Sequence, residues 1–283
     1  MRSDQTIDLT SAHSLDSLWV LCDASPLKSP VELTILVPSL PAITRLSLEG
    51  RNIDPVCSLS LIRSCPRLEV LWWSYRLDCY ILMSNVPEEI ESLPNLLELC
   101  VDGDFPTWFM NRLEAPNLER LLYTRKNLLG YGVDKPFRDT SQFPNLRMLE
   151  LIDFMDSDFP ALLASFLPTH GELRRLYLPW CLSEEKELLE VLSCTSLLPN
   201  LEYIRMADSP GFIGAEALLE QRVPQNPGQD ERQKKVKKFT LHLQMKHHNL
   251  RYFDGATRLT EKFGEGVCYE TINDDPWSWS VDV

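Results

Sequence analysis

Pro94-Asn95-Leu96-Leu97-Glu98-Leu99-Cys100-Val101 sets the pattern of this chain: a proline, one intervening residue, then apolar side chains at the first, fourth and sixth places of a short run. The same opening recurs at Pro41, Pro66, Pro116, Pro144 and Pro199, so the gaps between the six prolines are 25, 28, 22, 28 and 55 residues. The longest gap divides into 27 and 28 at Gly171, where Gly171-Glu172-Leu173 stands in place of Pro-Asn-Leu. Such a period marks stacked supersecondary units that share one core, because a single unit cannot bury its apolar face alone.

Aligned on the first apolar place, the units read Ile43, Leu46, Leu48; Leu68, Leu71, Trp73; Leu96, Leu99, Val101; and Leu118, Leu121, Tyr123. They continue as Leu146, Leu149, Leu151; Leu173, Leu176, Leu178; and Leu201, Ile204, Met206. All 21 anchors are apolar or aromatic. Side chains alternate along a strand, so places four and six share one face and place five takes the other. One short strand per unit, laid beside the next, predicts a parallel sheet whose inner side packs on the returning segments. Burying one leucine stabilises by roughly 1.5–3 kcal/mol, so the anchors supply much of the drive against chain entropy.

Two further units flank these seven. Leu15, Leu18 and Val20 fit before Ile43, and Val236, Phe239 and Leu241 fit after Leu201. The polar stretch Val223 to Asp230 reads as a flexible insertion, placed at about residues 222–232. Helical spacing predicts return helices over Glu184–Ser193, Phe159–Phe166, Leu59–Arg63 and Ala215–Glu220, and Pro87–Leu93 suits a short helix with proline near its start. Residues 1–245 are expected to form one repeat domain. Residues 246–283 show no clear repeat and are expected to form a cap or tail, with Trp277 and Trp279 available to cover the last apolar layer.

The chain has 283 residues, 44% of them hydrophobic, and a formal charge of −13. That acidity argues against a nucleic-acid partner, which needs a basic face. No apolar run approaches the roughly 20 residues that span a bilayer, and no signal-peptide apolar segment follows Met1, so no membrane role is expected. None of the eight cysteines forms Cys-x-x-Cys, and no Asn-x-Ser/Thr acceptor occurs. Reduced thiols in the cytoplasm or nucleus fit these features.

Over Val86-Pro87-Glu88-Glu89-Ile90-Glu91-Ser92-Leu93-Pro94-Asn95-Leu96-Leu97-Glu98-Leu99 the chain resembles a leucine-rich repeat. Its Pro-Asn-Leu starts at 94, 116, 144 and 199 are similar to the irregular repeats that follow the F-box in many fungal and plant F-box proteins. The resemblance covers about residues 15–245. It implies an α/β fold, an irregular leucine-rich-repeat solenoid or horseshoe with a parallel sheet on the concave side. It also implies a non-catalytic protein-interaction module, with substrate recognition for an SCF-type ubiquitin ligase as the family's role. A scaffold or regulator unrelated to ubiquitin is the alternative, and an enzyme the remote one. The ninth repeat place, usually Asn or Cys in that family, holds Arg51, Arg76, Asp104, Lys126, Phe154, Cys181 and Ser209, so a less regular curve is expected. No F-box is found, and the stretch ahead of Leu15 is expected to be too short for one.

Places three and five would carry any ligand on the concave face. Arg175, Tyr177, Tyr203 and Arg205 fall on adjacent strands, about 5 Å apart, and are of the types enriched at binding hot spots. Trp72 belongs with them, although a one-residue slip would exchange it with Trp73. These five are the candidate partner-binding residues, and the expected partner is another protein.

Catalytic and cofactor motifs are missing from the sequence. There is no phosphate-binding Gly-rich loop, no Gly-x-Ser-x-Gly and no His-Glu-x-x-His, and the spacing of His242, His247, His248 and Cys268 matches no zinc pattern. No catalytic residue, cofactor or metal is therefore expected. Asp102-Gly103-Asp104 and Asp153, Asp156 and Asp158 read as acidic turns, and Lys234-Lys235-Val236-Lys237-Lys238 as a solvated strand edge.

Overall fold

The computed structural model describes residues 5–7, 15–23, 33–35, 39–51, 55–76, 91–103, 107–124, 143–152, 159–178, 186–207, 212–223, 239–246 and 250–272. The chain is α/β and divides into two compact units, Met1–Leu146 and Arg147–Val283.

In the first unit, strands β1 (Ser17–Asp23), β2 (Arg45–Arg51), β3 (Val70–Arg76), β4 (Glu98–Gly103) and β5 (Arg120–Thr124) lie in sequence order. Each pairs in parallel with the next. The register is the one the repeat alignment demands. Leu18, Leu46, Leu71, Leu99 and Leu121 stand opposite one another, as do Val20, Leu48, Trp73, Val101 and Tyr123. Parallel neighbours need a crossover, and helix α1 (Pro55–Arg63) makes one of them. Proline at its first position has no N–H to leave unsatisfied, and Leu59 and Ile62, one turn apart, are buried. A one-turn helix, Thr107–Met110, brings Phe109 edge-on to Trp73 at 5.1 Å.

The short helix expected over Pro87–Leu93 is corrected in part. Residues 87–90 lie outside the described residues, and Glu91–Ser92 is a strand paired in parallel with Leu113–Glu114. The amides of Glu91 and Leu93 donate to the carbonyls of Arg112 and Glu114, so the backbone bonds reach the next return segment instead of closing a turn. The Arg63 guanidinium grips the buried Glu91 carboxylate through both Nε and Nη2.

The second unit repeats the scheme with β6 (Met148–Ile152), β7 (Arg175–Leu178), β8 (Tyr203–Ala207), β9 (Thr240–Lys246) and β10 (Val267–Ile272), again parallel and in order. Leu149, Leu176, Ile204, Leu241 and Val267 form one buried row. The returns are helices α2 (Phe159–Phe166), α3 (Lys186–Ser193), α4 (Phe212–Arg222) and α5 (Leu250–Phe263). In α4 the buried stripe is Ala215, Leu218, Leu219 and Arg222, the spacing of one helix face.

Three sequence readings change here. Leu241 pairs with Ile204 and therefore holds place four, with Leu243 at place six, so the alignment on Val236 was two residues early. A shift of two keeps every side chain on its face but moves each to another row. The stretch read as a cap or tail contains α5 and β10, and β10 is one more parallel strand beside β9. Gly264, at φ +57, turns the chain out of α5 where an L side chain would be strained. Arg222 closes a helix and is buried, so the proposed insertion cannot include it; residues 224–238 lie outside the described residues, as do Trp277 and Trp279.

All 21 predicted anchors are buried, none more than 4% exposed. Each of the seven units opens with the same tight turn. The anchor amide donates to the carbonyl three residues back, as in Leu118 to Ala115 and Leu146 to Phe143, both 3.1 Å. Proline at the second turn position has its φ already set for this geometry. The residue before it points inward: Leu40, Cys65, Leu93, Ala115, Phe143, His170 and Leu198 are all buried.

Candidate functional site

Place five of each strand faces away from the buried rows. In the second unit this row runs Glu150, Tyr177, Arg205, His242 and Cys268, and place three beside it runs Met148, Arg175, Tyr203 and Thr240. Four of the five sequence candidates, Arg175, Tyr177, Tyr203 and Arg205, therefore sit on the adjacent strands β7 and β8. The Tyr177 and Tyr203 rings tilt together at 5.6 Å, and the Arg205 guanidinium lies over Tyr177 at 5.9 Å. Arg175 is exposed, whereas Tyr177, Tyr203 and Arg205 are half-buried.

His242 is a member of this group that sequence reading missed. Its Nδ1 is 2.6 Å from the Tyr203 hydroxyl, with the two rings edge to face at 6.1 Å. The two-residue misalignment of β9 concealed it, since correct alignment places His242 opposite Arg205. Glu150 departs from expectation, being 6% exposed on a row read as open.

Trp72 lies in the first unit, and the separate units keep it from being grouped with the other four. Its place-five row runs Trp19, Ser47, Trp72, Cys100 and Leu122. The register is fixed: Trp73 is fully buried and Trp72 is 38% exposed, so the two do not exchange. Trp19 and Leu21 on β1 are 68% and 63% exposed. Arg45 and Glu49, two residues either side of Ser47, share its face and are both exposed.

Elsewhere among the described residues, burial and local hydrogen bonds shift several titratable groups. His170 is buried and stacked on Phe166 at 3.9 Å, with Nδ1 2.9 Å from the Phe166 carbonyl oxygen. Burial pushes its pKa below the usual histidine value, against a smaller opposing pull from that carbonyl. Burial also pushes the Cys65 thiol up to about 11. The Cys194 thiol moves the other way, lowered first by the Ser196 hydroxyl at 3.1 Å and then by nearby backbone amides and Arg222. Among the described residues, no three His, Cys, Asp or Glu side chains gather as metal ligands, and no helix is long and apolar enough to cross a membrane. Asp104, Asp153, Asp156, Asp158, His13, His247, His248 and the lysines at 234, 235, 237 and 238 lie outside the described residues.

No protein-family model matches the chain, and no curated protein matches it. Among solved structures it is similar to the crystal structure of a Bacteroides fragilis protein, a target of the Northeast Structural Genomics Consortium. The two are 19% identical with a TM-score of 0.45, over 64% of this chain and 54% of that one, so the match spans about half of that protein's length.

Proposed function

We propose that this chain is a non-catalytic leucine-rich-repeat solenoid that binds another protein on the open face of its parallel sheet. The observation that carries this reading is the Tyr177, Tyr203, Arg205 and His242 group, held in mutual contact on three successive strands while the alternate side chains are locked in the core. Large amphipathic rings and a guanidinium on a rigid sheet bind with little further loss of side-chain freedom. The repeat register and the seven recurrent turns support the solenoid, with the sheet on its concave side.

Resemblance of the Pro-Asn-Leu starts to F-box repeat regions makes the bound protein a substrate presented to an SCF-type ubiquitin ligase, in the cytoplasm or nucleus. Affinity capture from the native cell, followed by mass spectrometry, tests both levels. Arg175→Glu combined with Arg205→Glu should abolish retention of the partner. Because Arg205 is half-buried, Arg175→Glu alone, at an exposed site, serves as the second variant, with an unchanged thermal midpoint verifying its fold. Undiminished capture by both variants would dispose of the interaction surface. A cullin-ligase adaptor among the retained proteins supports the ubiquitin role, and its absence leaves the scaffold reading.

A further inference from the structure

Exposed apolar side chains are informative when they gather. Of the six large hydrophobics exposed on the described surface, Leu15, Trp19 and Leu21 belong to β1 or its approach, and Trp72 lies two strands away. Trp19 and Trp72 occupy the same row with Ser47 between them, so two tryptophan positions, about 10 Å apart along the backbone spacing of the sheet, flank one small side chain. Leu21 and Glu49 stand opposite each other on the next row of that face, where Ser74 and Asp102 follow.

The charges around this cleft are unevenly satisfied. Glu98 pairs with Arg120 at 3.7 Å, but neither Arg45 nor Glu49 makes an ion pair among the described residues. Asp102 accepts a hydrogen bond from Ser74 on Oδ2, and its enclosed Oδ1 has no donor among the described residues. Indole faces, an aliphatic side chain and carboxylates thus lie side by side. We infer that the Trp19–Ser47–Trp72 cleft receives an arginine or lysine side chain from an extended basic segment of a partner protein. This rests on reading the open sheet face as a recognition surface.

The chemistry favours a cation over a purely apolar occupant. Indole is the best aromatic partner for a cation, and the stems of Arg and Lys cover apolar surface while their heads stay polar. A stem laid on Trp19 and Leu21 would carry its charge to Glu49. An apolar side chain there would strip water from the Glu49 carboxylate and return nothing. The register places Arg45 before Glu49 on β2 and Arg51, opposite Arg76, after it, so the surface takes a single cation at Glu49 and repels a second. The chain's charge of −13 draws a basic partner at long range.

Selection of a random peptide-display library on the immobilised full chain tests the inference. Enriched peptides should carry Arg or Lys. A synthetic peptide from that pool should lose at least about tenfold in affinity with Trp19→Ser and several-fold with Glu49→Gln, while Arg175→Glu leaves it unchanged. Trp19 is 68% exposed, so its removal leaves the fold intact, and an unchanged thermal midpoint verifies that. Enriched peptides without Arg or Lys that still depend on Trp19 would overturn the cationic occupant and keep the recognition surface. Peptides dependent on Arg175 and indifferent to Trp19 would overturn the cleft alone. Peptides indifferent to both would overturn the recognition surface as well.

Discussion

The side-chain amide of Asn117 donates to the carbonyl oxygen of Pro94 across 2.7 Å, joining two successive repeat starts. Asn95 does the same to Pro66 at 3.0 Å, Asn145 to Pro116 at 2.9 Å, and Asn200 to Gly171 at 2.9 Å. The asparagine of Pro-Asn-Leu is therefore a rung, satisfying a turn carbonyl that the parallel sheet cannot reach. These asparagines stand one residue before the first anchor of their units, whereas the ninth repeat place holds none. Replacing Asn117 by Ala should cost about 1 kcal/mol, read as a lower urea midpoint. Arg67 holds the equivalent place opposite Pro41, so Arg67→Asn should add a rung and raise the midpoint by a similar step. Midpoints that do not move would reduce the asparagines to solvated ornaments.

His170 occupies the inward turn position that Leu40, Leu93, Ala115, Phe143 and Leu198 fill elsewhere. Its Nε2 is enclosed with no hydrogen-bond partner among the described residues, and burial holds its pKa below 6.5. Below that pH the unfolded chain takes up a proton that the folded chain refuses, so folding stability is full above about pH 6.5 and declines as pH falls beneath it. His170→Leu should remove this component, giving a flatter dependence of the denaturation midpoint between about pH 7 and 5.5. Parallel pH profiles for the two proteins would show that His170 does not titrate against folding.

Arg222 completes the buried stripe of α4 at a position where the sequence pattern calls for an apolar residue. Its guanidinium donates from Nε to the Leu192 carbonyl, from Nη1 to Leu198 at 3.1 Å and from Nη2 to Cys194 at 3.3 Å, and it lies over Phe239 at 5.5 Å. These are carbonyls at and beyond the end of α3, which have no intrahelical donors. Burial lowers its pKa to about 10, so the side chain remains charged at neutral pH. Arg222→Ala should cost about 3 kcal/mol and Arg222→Leu less, because leucine refills the volume and leaves only the Leu192 carbonyl without its donor, while backbone amides of Leu197, Leu198 and Leu201 still reach Cys194 and Leu198. Lysine should recover only part, having one head for three acceptors. A leucine variant as stable as the parent in chemical denaturation would refute this account.

Much of the fold was legible because its inward signal is redundant. Leu99 and Leu176 could be placed from the spacing of their own units, and six other units repeated the statement. The tenth strand was not legible, since Gly264 falls where its first anchor should be and only Val267 and Tyr269 keep the pattern. Phe239 misled the alignment of β9 for a related reason: it is buried and apolar, two places early, and period two cannot tell adjacent rows apart. The site was half legible. Arg175, Tyr177, Tyr203 and Arg205 came from the rows, but His242 needed the true register and Trp19 needed its exposure. No sequence pattern reports that a tryptophan at place five will stand 68% in water.

Cys65 and Cys194 should differ sharply in reactivity, because the thiolate is the nucleophile. Cys65 is 1% exposed, donates to the Leu61 carbonyl at 3.4 Å and has its pKa pushed up to about 11 by burial. Cys194 is half-buried just past α3, and the Ser196 hydroxyl at 3.1 Å leads the contacts that lower its pKa. Iodoacetamide at about pH 8, followed by peptide mass spectrometry, should therefore label Cys194 well before Cys65 in the folded protein. Ser196→Ala removes the leading contact at an exposed position, so it should slow alkylation of Cys194 without altering the fold. An unchanged rate would leave access alone as the reason for the difference. Labelling of both thiols at equal speed under native conditions would mean that the core around Cys65 opens far more readily than its complete burial implies.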